Sequence, residues 1–146
     1  MSNKQETEQI SIVKVDSADP EQLKALYMGA GWLKPSDNNQ SYEFLNHIVQ
    51  NSAVFIGAFH KKKLIGMGRA LSDLSSDAYI QDLTVLNDYR RKGVGKKIIQ
   101  ALVAELKTNG VDWIGLIAEP GAAPFFQSLG FHELEAHTPL RYKVGW

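Results

Sequence analysis

The chain has no cysteine. Disulfides, thiolate metal sites and a cysteine nucleophile are excluded, and the composition fits a reducing compartment. Net charge is missing too: 16 basic residues balance 16 acidic ones, which argues against a domain-wide attraction to nucleic acid. No stretch approaches the roughly 20 apolar residues that a membrane-spanning helix needs. Met1 to Gln9 is polar and lacks the apolar centre of a signal peptide. A soluble cytoplasmic protein is expected, with no membrane or nucleic-acid partner and a flexible segment over 1–9. The four histidines, His47, His60, His132 and His137, show no ligand spacing, so no metal is assigned. Internal repeats, low-complexity tracts and linkers are also absent.

What remains suits one ordinary domain: 146 residues, 44% hydrophobic and 22% charged. Residues 10–15 alternate as a first strand. Asp19-Pro20 is a helix start, and Leu23, Leu26 and Tyr27 follow at helical spacing until Gly29 and Gly31. After a polar loop over 34–40, a helix over 41–50 is expected to turn Phe44, Leu45, Ile48 and Val49 to one side. The apolar runs 53–59 and 64–71, joined by His60-Lys61-Lys62-Lys63, predict an antiparallel hairpin with a solvated turn. A strand over 78–86 comes next. The most periodic helix follows, with Val94, Ile98, Ile99, Leu102, Val103 and Leu106 in one stripe and Asn109-Gly110 as its stop. A strand over 113–118, a short helix over 122–129 and two strand candidates around Pro139 complete the chain. Several strands before a strand–helix–strand–helix unit give the class α+β with a mixed sheet.

Arg90-Arg91-Lys92-Gly93-Val94-Gly95 lies between a strand and that amphipathic helix. Five basic residues, Arg90, Arg91, Lys92, Lys96 and Lys97, fall within eight positions. A helix start leaves backbone N–H groups without partners and carries partial positive charge. Glycines let the backbone turn tightly and let an anion come close. A diphosphate suits such a site. Two other phosphate motifs fail here: the nucleotide P-loop would need glycine at Arg90 and Ser or Thr at Lys97, and the dinucleotide fingerprint would need glycine at Ile98. On the six residues alone, a basic helix start with no ligand is an equally good reading.

In its wider context the sequence resembles the GNAT superfamily of N-acetyltransferases, whose Gln/Arg-x-x-Gly-x-Gly/Ala pattern binds the pyrophosphate of acetyl-CoA. Tyr79-Ile80-Gln81-Asp82-Leu83-Thr84-Val85 lies upstream as the family's strand does. Ala122-Ala123-Pro124-Phe125-Phe126-Gln127-Ser128-Leu129-Gly130-Phe131 is similar to its Phe-Tyr-x-x-x-Gly-Phe segment. The order of elements fits over residues 10–146, which implies a single acetyltransferase domain. Its expected fold is a central, mixed, mostly antiparallel sheet of six to seven strands with about four helices.

The resemblance implies that Arg90, Arg91, Lys92, Gly93, Val94, Gly95 and Lys96 hold the pyrophosphate. Leu83, Thr84 and Val85 would offer backbone to the pantetheine arm and acetyl carbonyl, beside a splay between two strands. Phe125 and Phe126 would pack along the pantetheine. The implied reaction is acetyl transfer from acetyl-CoA to a primary amine of a small molecule or peptide, mostly by positioning, with a backbone N–H near Val85 polarising the carbonyl. Asp82 is the candidate base, through a water, because a carboxylate in an apolar strand needs a reason; a structural Asp bonded to nearby backbone is the rival reading. Glu119 is a second candidate. Tyr27, Trp32 and Tyr42 lie where the family shapes its acceptor pocket, although helix-spaced aromatics are first read as core.

One position departs from the family. Phe126 stands where many members carry the tyrosine that protonates the departing thiolate. Tyr79, Tyr89, Tyr142 or solvent would have to replace it. The alternative function is therefore a non-catalytic domain that binds or senses CoA or acyl-CoA. A homodimer is left open.

Overall fold

The computed structural model describes residues 9–34 and 42–145. The chain divides between Gly115 and Leu116 into two compact units. One sheet has the order β1-β2-β3-β4-β5. Strands β1 (Ile10–Lys14), β2 (Val54–His60), β3 (Lys63–Ser72) and β4 (Asp77–Val85) are successive antiparallel neighbours. Strand β5 (Trp113–Leu116) is short, and the Trp113 N–H donates to the Ser76 carbonyl at 3.2 Å. β5 therefore starts at the same end as β4 and runs beside its first part in the same direction.

Local sequence explains the first unit's helices. Helix α1 (Pro20–Gly29) is capped by Asp19, whose carboxylate accepts from the Glu21 N–H at 3.1 Å. Pro20 stands at the first helical position, where a missing N–H costs nothing. Helix α2 (Glu43–Gln50) buries Leu45 and Val49, one turn apart. Phe44 does not join that side as expected, but is exposed. The core-facing stripe is centred on Leu45 and Val49, four residues apart, which leaves Phe44 on its solvent side. Helix α3 (Val94–Thr108) buries Val94, Ile98, Ile99, Leu102 and Leu106.

These helices cover the two faces of the sheet. On one face, α1 and α2 set Leu23, Leu26, Tyr27, Leu45 and Val49 into a core with Phe55, Leu64 and Met67. On the other, α3 comes so close to β3 that a side chain is not accommodated at Gly68. A Cβ there would lie 2.8 Å from Ile98 Cγ2 and 3.1 Å from Leu102 Cδ1. Met67, between Gly66 and Gly68, points the opposite way because side chains alternate along a strand.

The ladder between β3 and β4 contains an irregularity at this glycine. Met67 pairs with Thr84 and Arg69 pairs with Gln81, so Gly68 alone faces both Asp82 and Leu83. Two residues against one is a β-bulge, which bends the strand and re-aims a side chain. Asp82 adopts φ +58° to make it, a left-handed conformation that Asp tolerates better than most residues.

Among the described residues the sheet has five strands rather than the expected six to seven, and the α+β class stands with four α-helices. The missing strands are the two candidates in the tail. Residues 131–145 form no strand, with a turn that sets Ala136 at φ +60°. Leu140, Tyr142 and Val144 alternate with polar residues, yet all three are exposed. Period-two patterning makes a strand only where a neighbour satisfies its backbone groups. In that second unit, helix α4 (Ala123–Ser128) is shorter than expected by one residue at each end. The flexible segment expected over 1–9 and the polar loop over 34–40 lie outside the described residues except for Gln9 and Lys34; Ser41 and Trp146 do as well. Among the described residues, no helix is long and apolar enough to cross a membrane.

Gly68→Val should lower folding stability by about 1–3 kcal/mol, the usual cost of overpacking a core. Urea denaturation of the variant checks it, and unchanged stability would mean that α3 can simply move away.

Candidate functional site

β4 leads directly into the glycine turn. A short 3-10 segment, Asn87–Tyr89, ends in an extended Arg90, followed by Arg91 at φ +63° and Gly93 at φ +78°. Glycine suits Gly93 for conformation, not for crowding: nothing lies within 4 Å of the position a Cβ would take. α3 then begins without a side-chain cap and without an acidic residue in its first turn. The Lys97 N–H is the first to reach back, donating to the Gly93 carbonyl at 3.2 Å. The amides of Val94, Gly95 and Lys96 come before it and have no carbonyl one turn behind them. Arg90, Arg91, Lys92, Lys96 and Lys97 are all exposed around this start. The local charge, the dipole and the free amides all favour an anion.

The strand before the turn also directs backbone groups away from β3. The Leu86 N–H donates to the Ile65 carbonyl at 2.9 Å, which makes this a hydrogen-bonded pair. Strand alternation then turns both backbone groups of Val85 away from β3. Its carbonyl accepts from Arg90 Nε at 2.9 Å. Its N–H faces the same side, well past the start of β4 where β5 pairs. Val85 and Leu83 point their side chains to the α3 face, against Gly66 and Gly68, while Thr84 is buried on the other face.

Asp82 faces α1. Its Oδ2 accepts from the Tyr27 hydroxyl at 2.9 Å and from Arg69 Nε at 2.7 Å. Arg69 also reaches Ser52 Oγ at 3.4 Å, and Ser52 Oγ donates to the Ile48 carbonyl at 2.7 Å. The Asp82–Arg69 pair is mostly withdrawn from water, with side chains 23% and 14% exposed. Burial, and then the charge of Asp82, push the Tyr27 phenol well above the usual tyrosine range. Tyr27 therefore stays protonated as a donor to Asp82. Its ring meets Trp32 edge-on, with centroids 5.2 Å apart, and Trp32 is partly exposed. Tyr27 and Tyr42 are core residues, as first read, but the Tyr27 hydroxyl also belongs to a polar cluster.

Sequence reasoning singled out Asp82 and missed Arg69. The signal was available: Arg69 is the only charge within the apolar run 64–71, and a charge in such a run calls for a partner of opposite sign. Asp82, Leu83, Thr84, Val85 and residues 90–96 follow one another at one end of β4 in the first unit. Phe125 and Phe126 belong to the second. There they pack edge-on at 5.0 Å, and Phe126 meets Phe131 at 5.8 Å. Glu119 is exposed in the loop before α4, and its carbonyl accepts from the Ala122 N–H.

Comparison with known proteins bears on this arrangement. The family described as an acetyltransferase (GNAT) domain matches residues 16–139. The chain is 32% identical over 114 residues to the uncharacterized N-acetyltransferase ycf52 of Pyropia yezoensis, covering 75% of this chain and 63% of that protein. It is 41% identical over 71 residues to the chloroplastic GCN5-related N-acetyltransferase 2 of Arabidopsis thaliana, covering 49% of this chain and 28% of that one. The chain thus spans between about a quarter and two thirds of the length of these curated relatives. Among solved structures, a GNAT-family acetyltransferase of Streptococcus pneumoniae superposes with a TM-score of 0.73 at 25% identity, over 92% of this chain and 98% of that one.

Two outcomes follow from the polar cluster. Arg69→Met should cost about 1–3 kcal/mol in denaturant unfolding, since it leaves a half-buried carboxylate without its cation. Adding Asp82→Asn should recover part of that loss. The raised Tyr27 value contributes stability that is complete below the ordinary tyrosine value of about 10 and lost as pH rises beyond it. Between pH 8 and 11 the chain should therefore lose more stability than its Tyr27→Phe variant, and parallel losses would remove Tyr27 from the alkaline transition.

Proposed function

The chain belongs to the GNAT acetyltransferase family, and on that premise we propose that it binds acetyl-CoA and passes the acetyl group to a primary amine of a small molecule or peptide. The observation that carries this reading is the uncapped start of α3, with its free amides, left-handed Gly93 and five exposed basic side chains. These residues fit a diphosphate: they supply donors and positive charge, and no acidic group opposes them in the first turn. Arg90 to Lys96 hold the pyrophosphate. Leu83, Thr84 and Val85 lie along the acyl arm, with the outward Val85 N–H as donor to the thioester carbonyl, and Phe125 and Phe126 pack against the pantetheine. We take residues 10–146 as one acetyltransferase domain acting in the cytoplasm.

In the reaction the amine nitrogen attacks the thioester carbon, a C–N bond forms and the C–S bond breaks. The amine gives up a proton and the thiolate leaves. Holding both reactants side by side supplies most of the acceleration. Asp82 is the base, through a water at Oδ1, because Oδ2 is already engaged by Tyr27 and Arg69. Phe126 cannot protonate the thiolate, so solvent takes that part. That same residue supports a second reading, a domain that binds CoA without turning it over.

Isothermal titration should show acetyl-CoA binding, and no heat at millimolar cofactor sinks the proposal. Gly93→Glu should weaken binding by about tenfold or more, since its carboxylate enters the anion site and its φ is strained. A screen of amines with detection of free thiol should find an acceptor. Binding without turnover across a broad panel would establish the second reading instead. Asp82→Asn should lower kcat with little change in acetyl-CoA affinity, whereas unchanged turnover would leave Asp82 a structural residue. Cell fractionation tests the location, and recovery from plastids would overturn the cytoplasmic assignment.

A further inference from the structure

His60, the last residue of β2, lies against Tyr89, the last residue before the basic turn. The two rings meet edge-on with centroids 5.4 Å apart, and His60 Nδ1 is 2.8 Å from the Tyr89 hydroxyl oxygen. His60 Nε2 is buried and has no hydrogen-bond partner among the described residues. The Tyr89 ring also carries Lys92, with Nζ 5.7 Å from the ring centroid. A strand end, a phenol and one of the turn's cations are thus linked in series.

The direction of the bond depends on the imidazole tautomer, but in either neutral tautomer it ties the His60 ring to the Tyr89 oxygen.

The basic turn itself has little to hold it. It includes two left-handed residues, lacks a side-chain cap and exposes all its basic side chains. Among the described residues, two side-chain hydrogen bonds add to the backbone bonds from the Tyr89 and Arg90 N–H groups in fixing its approach: Arg90 Nε to the Val85 carbonyl, which is exposed, and His60 to Tyr89, which is partly buried. Ordering a loop before the ligand arrives removes part of the cost of binding.

We propose that His60 and Tyr89 are positioning residues of the cofactor turn: His60 holds Tyr89, and the Tyr89 ring holds Lys92, so that the turn is arranged before the anion binds. This rests on the reading that residues 90–96 take the acetyl-CoA diphosphate. Tyr89→Phe keeps the ring and deletes the hydroxyl; His60→Phe keeps a ring and deletes both nitrogens; His60→Asn returns a nitrogen near the place of Nδ1. Acetyl-CoA affinity by titration, KM and kcat, and melting temperature are measured for each.

Tyr89→Phe and His60→Phe should each raise Kd and KM for acetyl-CoA about 3–10-fold, the worth of one hydrogen bond. The double variant should be no worse than either single one, because both remove the same link. The loss should fall on KM for acetyl-CoA rather than on kcat, and His60→Asn should recover most of it. Lowered melting temperatures with unchanged acetyl-CoA affinity would make the pair merely structural and overturn the inference. Additive losses in the double variant would overturn the link as well. A parent protein that binds no acetyl-CoA sinks the proposed function first, which separates the two failures.

Discussion

One backbone constraint organises the first unit: β4 has a residue more than β3 can pair. The surplus is taken up opposite Gly68, where Asp82 and Leu83 share one partner. On one face, the missing side chain at Gly68 lets Ile98 and Leu102 of α3 settle onto the sheet. On the other, the left-handed turn at Asp82 brings its carboxylate to Tyr27 and Arg69. Beyond the bulge, Val85 turns its backbone groups away from β3, and the chain runs on into the basic turn. Packing and the placement of charge thus follow from a single extra residue.

Two kinds of electrostatics operate within this unit. The basic turn is exposed, so its attraction for an anion is screened by salt and acts mainly through number and placement. The Asp82 cluster is largely withdrawn from water, so its charges hold one another in fixed geometry and raise the cost of losing any member. In the proposed reaction, a site for a highly charged cofactor needs the first kind, and a carboxylate held in one orientation beside the amine needs the second. The start of α3 and the acid on the bulge bring one of each to β4 and the turn that follows it.

Much of this was readable from the chain because it depends on neighbours in sequence. Asp19-Pro20 announced α1, the stripe from Val94 to Leu106 announced α3, and glycines among cations marked the turn. The features that escaped depend on pairing between distant segments. Nothing local shows that β4 exceeds β3 by one residue, so the conformation of Asp82 was invisible although its unusual placement was noticed. Arg69 lies 13 residues from its partner and His60 lies 29 residues from Tyr89, separations that no local pattern bridges. The tail differs the other way: Leu140, Tyr142 and Val144 have a strand's alternation, yet residues 131–145 form no strand.

The tip of the β2–β3 hairpin has a consequence far beyond its size. Lys61 and Lys62 both adopt positive φ, as a two-residue turn of this hand requires, and they set His60 opposite Lys63. A strand has only two sides, so the length of the loop acts as a parity bit for everything next to it. One more residue at the tip, absorbed into β2, would send the His60 ring to the opposite face of the sheet. Two solvated lysines with no chemistry of their own thereby decide by counting whether an imidazole can reach the phenol beside the basic turn.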